Sequence, residues 1–191
     1  RSDISKDSVP QLVRLADMDV LVWTEKLSGR PEADGDCLCY AVRSHESDTW
    51  GDPFRVYDTG TRDAAPQLVQ VGEGLYVIWQ KTSGSLAEVT ERGDILQRTD
   101  ICVARFDAAT GKFLEGTLIH EPDERMDLMP QLQRVNGRLE AAWIRIGGDP
   151  LDPDSTASIL RAAFSEESGW SSLPALDLPG IPTGLALGED G

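Results

Sequence analysis

The sequence predicts an all-β fold of repeated four-stranded antiparallel units, a fragment of a β-propeller. Three observations carry this reading. A segment that opens on Pro-Gln-Leu and closes on tryptophan occurs three times without a gap: Pro10 to Trp23, Pro66 to Trp79 and Pro130 to Trp143, 13 residues apart each time. The three prolines stand 56 and 64 residues apart, which is the length four short strands and their turns occupy in a propeller blade. Helical periodicity is absent, and short apolar runs are instead bounded by Gly, Asn, Asp and Pro.

Each copy opens with two strands joined by a tight turn. In the second, residues 67–71 form a strand, Gly72-Glu73-Gly74 the turn and residues 75–79 the return strand. The third turns at Asn136-Gly137, a dipeptide that accepts the positive φ of a tight hairpin; the first turns around Ala16-Asp17. A proline at each opening suits the first residue of a strand, where its missing N–H does least harm. Each tryptophan shares a strand face with the residue two before it (Leu21, Val77 and Ala141), so Trp23, Trp79 and Trp143 are expected to be buried between sheets rather than stacked on a sugar.

A third strand follows a polar gap, at residues 37–42, 101–106 and 159–164. A turn ending in an aromatic comes next (44–50, 107–113, 165–170), then a fourth strand (54–57, 117–120, 173–178). The blades therefore span 8–60, 64–122 and 128–178, and after Pro179-Gly180 residues 181–191 read as the start of a fourth. Three units cannot close a ring, so the apolar residues Val13 and Leu21 at one end and Leu139 and Trp143 at the other are expected on open flanks, which self-association would cover; the alternative is an open arc capped by the terminal segments, residues 1–7 and 181–191.

The turns between third and fourth strands carry a family likeness. Ser44-His45-Glu46-Ser47-Asp48-Thr49-Trp50, Asp107-Ala108-Ala109-Thr110-Gly111-Lys112-Phe113 and Ser165-Glu166-Glu167-Ser168-Gly169-Trp170 resemble degenerate Asp-boxes, whose pattern runs Ser-x-Asp-x-Gly-x-x-Trp. The chain thus resembles the bacterial sialidase-like (BNR or Asp-box) propellers; TolB-like and WD40-like propellers share the same unit plan. The resemblance implies a carbohydrate-related propeller. A sialidase would also need three substrate-gripping arginines, a Tyr nucleophile with a Glu partner, an acidic proton donor and an Arg-Ile-Pro segment near the first blade. No Arg-Ile-Pro occurs. Arg14 and Arg134 occupy matching repeat positions, but the second copy has Gln70 there. Tyr40, Tyr57 and Tyr76 lie in strands, and His45 and His120 fall in different repeat positions.

Charge narrows the partners. With 33 acidic and 18 basic residues the formal net charge is −15, and no Lys/Arg run makes a local exception. Such a surface repels nucleic-acid backbones and anionic membranes. No apolar stretch approaches the ~20 residues that cross a bilayer, so membrane insertion is not expected. Cys37, Cys39 and Cys102 have no zinc-type spacing and read as small buried hydrophobes.

Candidate binding residues lie in the gaps between second and third strands, which run over residues 26–36, 82–100 and 146–157 and exceed what a hairpin needs. Loops on a rigid scaffold are where binding usually resides. These are acidic, and Glu32, Asp34, Asp36, Glu91, Arg92 and Asp94 are the ligand-binding candidates. Asp149, Asp152 and Asp154 gather oxygen donors of the kind calcium takes, although the spacing matches no standard calcium loop. No other cofactor is implied. The expectation is a non-catalytic binding or scaffold module of a bacterial surface or secreted protein, extracellular or cell-surface, with a carbohydrate or protein ligand. The alternative is part of a sialidase-like glycoside hydrolase whose catalytic residues lie outside this fragment.

Overall fold

A computed structural model of the chain describes residues 3–4, 8–30, 35–59, 61–82, 98–123, 125–149, 152 and 154–188. The described residues are all-β, and their strands fall into three successive antiparallel groups. In the first, β3 (Met18–Lys26) is flanked on one side by β1 (Asp3–Ile4) and β2 (Gln11–Arg14) and on the other by β4 (Asp36–Ser44). The outer edge of β4 carries β5 (Thr49–Trp50) and β6 (Phe54–Arg55). The second group runs β7 (Asp63–Val71), β8 (Gly74–Thr82) and β9 (Thr99–Asp107), with β10 (Lys112–Phe113) and β11 (Thr117–Leu118) on the edge of β9. The third is a four-strand meander of β12 (Met126–Val135), β13 (Arg138–Gly147), β14 (Thr156–Ser165) and β15 (Gly169–Leu178). One parallel pairing, Met126 with Thr99, links the second and third groups.

The three tryptophans share one place in the strand pairing. Trp23 pairs with Cys39, Trp79 with Cys102 and Trp143 with Leu160, each time between second and third strands. All three tryptophans are buried, as their shared offset from proline predicts. So are the three cysteines, which are unbridged.

The first strands differ from expectation. β7 and β12 begin upstream of Pro66 and Pro130, and both prolines sit at bulges where the pairing skips from Ala64 to Gln67 and from Leu128 to Gln131. The bulge lifts the proline, which has no N–H to give, out of the ladder. Ala65 and Met129 absorb the extra residue at φ 47° and 53°. The fourth strands of the first two blades are each broken into two short pieces, whereas β15 is continuous. Residues 181–188, where a fourth blade was expected to open, form no strand.

The Asp-box-like turns share one device. The side chains of Ser44, Asp107 and Ser165 accept the backbone N–H of Glu46, Ala109 and Ser168. Four residues on from each, Asp48, Gly111 and Gly169 adopt positive φ before the chain returns to the sheet. This is a side-chain-capped turn with a left-handed closing residue.

Two apolar seams hold the blades face to face. The first joins Val20, Val22, Leu38 and Tyr40 of blade one to Leu75, Val77, Trp79 and Phe106 of blade two. The second joins Ile78, Ile101 and Val103 of blade two to Leu132, Leu139, Ala141 and Trp143 of blade three. Each tryptophan after the first therefore faces the preceding blade. Two flank residues expected at the far end are corrected by this: Leu139 and Trp143 are buried against blade two. Val13 likewise packs on the first seam. On the opposite face of blade three, Met126, Ile144, Ile146 and Ala157 form a small core on which Leu185 of the C-terminal segment packs.

Candidate functional site at the blade seams

Two sequence positions place charge at the seams. Three residues before each repeat proline stands an aspartate (Asp7, Asp63, Asp127), and two after each tryptophan a charged residue (Glu25, Lys81, Arg145). Antiparallel register sets Asp63 opposite Lys81 and Asp127 opposite Arg145. Asp7 lies outside the described residues.

At the first seam the Asp63 carboxylate is buried. Its Oδ1 accepts the Trp79 indole N–H at 2.8 Å and Lys81 Nζ at 3.2 Å. Its Oδ2 accepts the backbone N–H of Leu38, from the preceding blade, at 3.0 Å. Burial pushes the Asp63 carboxyl up, against the pull of Lys81 and the Leu38 N–H. Lys81 Nζ also lies 5.4 Å from the Tyr57 ring centroid, a cation–π distance.

At the second seam the same positions build a denser cluster. Asp127 is fully buried and takes a two-pronged guanidinium: Arg145 Nε donates to Oδ1 at 2.8 Å and Nη2 to Oδ2 at 2.7 Å. Arg145 Nη1 also meets Asp123 Oδ2 at 2.8 Å. His120, which follows β11 as Tyr57 follows β6, lies with Nε2 2.7 Å from Asp127 Oδ2 and 4.0 Å from Oδ1 of the fully buried Asp100. Its Nδ1 is 2.7 Å from the Glu121 carbonyl oxygen. The imidazole stacks on Trp143 at 5.4 Å between centroids and 13° between planes. With Arg145 on both Asp127 oxygens, the Trp143 indole N–H has no partner among the described residues.

A third cluster caps blade one. Fully buried Asp19 accepts Arg14 Nε and Arg43 Nε, both at 3.0 Å, and lies 3.0 Å from His45 Nε2. Hydrogen bonds from Arg14, His45 and Arg43, with the Arg14 charge, hold its carboxyl well below the usual range against the opposing effect of burial.

Chemistry is constrained by these distances. Asp100, His120 and Asp127 are the group among the described residues whose donor atoms gather within 4.8 Å. Two ligands of one tetrahedral ion, each ~2.0–2.1 Å from it, stand about 3.3 Å apart. His120 and Asp127 stand closer than that, 2.7 Å apart as an ion pair. Arg14 and Arg134 are engaged locally too, on Asp19 and on the Gly137 carbonyl.

The loop residues named from sequence lie elsewhere. Asp36 opens β4 and pairs with Arg62 at 3.0 Å. Glu32, Asp34, Glu91, Arg92 and Asp94 lie outside the described residues. Asp152 and Asp154 are exposed, and the Asp152 carboxylate accepts the Asp154 N–H at 2.9 Å, a local turn contact. The seam aspartates escaped sequence reading because they precede the proline taken as the strand's start. Their signal was the repeated Asp-x-x-Pro.

No family model matches the chain, and no curated protein does. Solved structures do. A polysaccharide lyase, Uly1, aligns with TM-score 0.56 and 10% identity over 86% of this chain and 42% of its own. A mutant of Trypanosoma rangeli sialidase displaying trans-sialidase activity aligns with TM-score 0.51 and 12% identity over 90% of this chain and 31% of its own. An α-L-arabinofuranosidase from Lactobacillus brevis aligns with TM-score 0.49 and 12% identity over 86% and 53%. The chain spans about half or less of the length of the structures it matches. At such identity the likeness is one of fold.

Proposed function

We propose that this chain is a non-catalytic binding or scaffold module of the sialidase-like, Asp-box type, taking a carbohydrate or protein ligand on its second-to-third-strand loops. One observation supports it above the others. The charged clusters among the described residues are committed to holding strands and blades together: Asp63 clamps blade one to blade two, and Asp127 is held by Arg145 and His120 at the next seam. That leaves recognition to the acidic loops, such as the segment bearing Asp149, Asp152 and Asp154, where calcium would have oxygen donors. The carbohydrate-active proteins sharing the fold make glycans the first ligand class to try. A surface or secreted location accords with the reading.

The test is a glycan array probed with the intact chain, with and without calcium, beside hydrolase and lyase assays on the glycans bound. Binding without turnover is expected. Turnover by this chain would overturn the proposal. A second reading, part of a sialidase-like glycoside hydrolase, draws on the longer structures that share the fold. It requires catalytic residues outside this chain, and activity gained only in a longer protein would favour it.

A further inference from the structure

The chain has two histidines, and each stands between a backbone carbonyl and a fully buried aspartate. In each, Nδ1 faces a backbone carbonyl: Glu121 for His120 at 2.7 Å, Ala16 for His45 at 3.1 Å. His45 Nε2 is hydrogen-bonded to the fully buried Asp19 at 3.0 Å, whereas His120 Nε2 stands 2.7 Å from the fully buried Asp127 as an ion-pair contact without hydrogen-bond alignment. Arginine grips both aspartates. A carbonyl oxygen and a carboxylate oxygen can only accept. A neutral imidazole carries one N–H, so one nitrogen would turn a lone pair against an oxygen. At His120, protonation of Nε2 turns the close approach to Asp127 into an ion pair.

We propose that His120 is a proton-operated latch between blades two and three, closed when the imidazolium is ion-paired with Asp127 and loosened when that proton leaves. His120 lies at the end of blade two, whereas Asp127 and the stacked Trp143 belong to blade three, so the contact crosses the seam. The groups around it favour the cation. Asp100 approaches from β9, Asp127 from β12, and Asp123 from the connecting loop through Arg145; Arg145 on β13 opposes. Lys81 on β8, in register with Asp100, is paired with Asp63. Burial disfavours the charged ring, but Asp127 and the Glu121 carbonyl outweigh it and the His120 pKa is raised.

The sign follows. A group whose pKa is higher folded than unfolded adds stability in full below about 6.5, the unfolded histidine value, and loses it as pH rises through the folded value. The seam should therefore be tightest in mildly acidic solution and loosen above neutrality. His45 is the other side chain whose ordinary value falls between pH 6 and 8, so the comparison must separate the two histidines.

The test reads the protons directly. In the His45→Gln variant a single imidazole remains, and its two ring nitrogens can be followed by 15N NMR from pH 5.5 to 9. Both nitrogens should be protonated at pH 6.5, with a midpoint above that value. The folding constant of the unaltered chain, from urea titrations, should fall up to about tenfold for each unit by which the midpoint exceeds 6.5. His120→Gln should flatten that fall. A neutral imidazole at pH 6.5, or equal pH dependence in the unaltered chain and His120→Gln, would overturn the latch. If His120→Gln does not fold, the nitrogen titration alone decides.

Discussion

Trp79 and Trp143 occupy one place in the repeat, yet their indole N–H groups fare differently. Trp79 donates to Asp63, while Trp143 has no partner among the described residues because Arg145 holds the matching carboxylate. Phenylalanine at either site removes similar volume, but only Trp79→Phe takes a donor from a buried carboxylate. Trp79→Phe should therefore cost about 1–3 kcal/mol more than Trp143→Phe. Paired urea denaturations measure the difference, and equal losses would contradict the assignment of Asp63 as the clamp. Asp127→Asn goes further, since it strands part of a guanidinium at a buried seam; a loss of about 3–5 kcal/mol is expected from the same titrations. At this scale the tryptophans were legible and the aspartates were not. A period-two apolar face announces itself in sequence, whereas a buried charge shows only once register names the residue opposite. His120 was visible as a histidine, but its partners lie on three other elements.

Strands were legible where alternation was strong, and their ends were not. Third strands came out longer than their apolar cores because polar ends still pair: Asp36 with Lys26, and Thr99 with Thr82. The prolines misled because a bulge lets a strand continue past a residue that cannot join its ladder. The turns after the third strands were recognisable by their closing aromatics, but the shared physical feature is the left-handed residue. Gly111 tests it. It sits at φ 67° with nothing within 4 Å of where a Cβ would go, so substitution there meets a conformational cost and no clash. Gly111→Ala should lose roughly 1–2 kcal/mol. Gly111→Asn should lose less, because asparagine tolerates this region. Thermal unfolding of the two variants would show the order, and a tie would mean that the turn relaxes to another conformation.

For the molecule as a whole the decisive question is what covers an end blade. Counting units predicted open flanks, covered either by a second copy or by the chain's own terminal segments, and the third blade's outer core meets the C-terminal segment. Leu185 packs there against Met126, Ile144, Ile146 and Ala157, each of which is buried. Residues 181–188 form no strand, so they cover this face without adding an edge. The segment spans two prolines and two glycines between Pro179 and Gly184, which favours an extended coil over a paired strand. Self-association through this flank then requires the segment to leave. Deleting residues 179–191 should bare the four-residue core, raise hydrophobic-dye binding and produce concentration-dependent association at micromolar levels. The intact chain, with Leu185 in place, should bind little dye and sediment as a smaller species. At the other end Val9 and Leu12 are 65% and 56% exposed, too few side chains for a standing interface on their own. If the truncated and intact chains sediment alike, the segment is not the cover, and the apolar residues of blade three are kept from water by packing within the sheet.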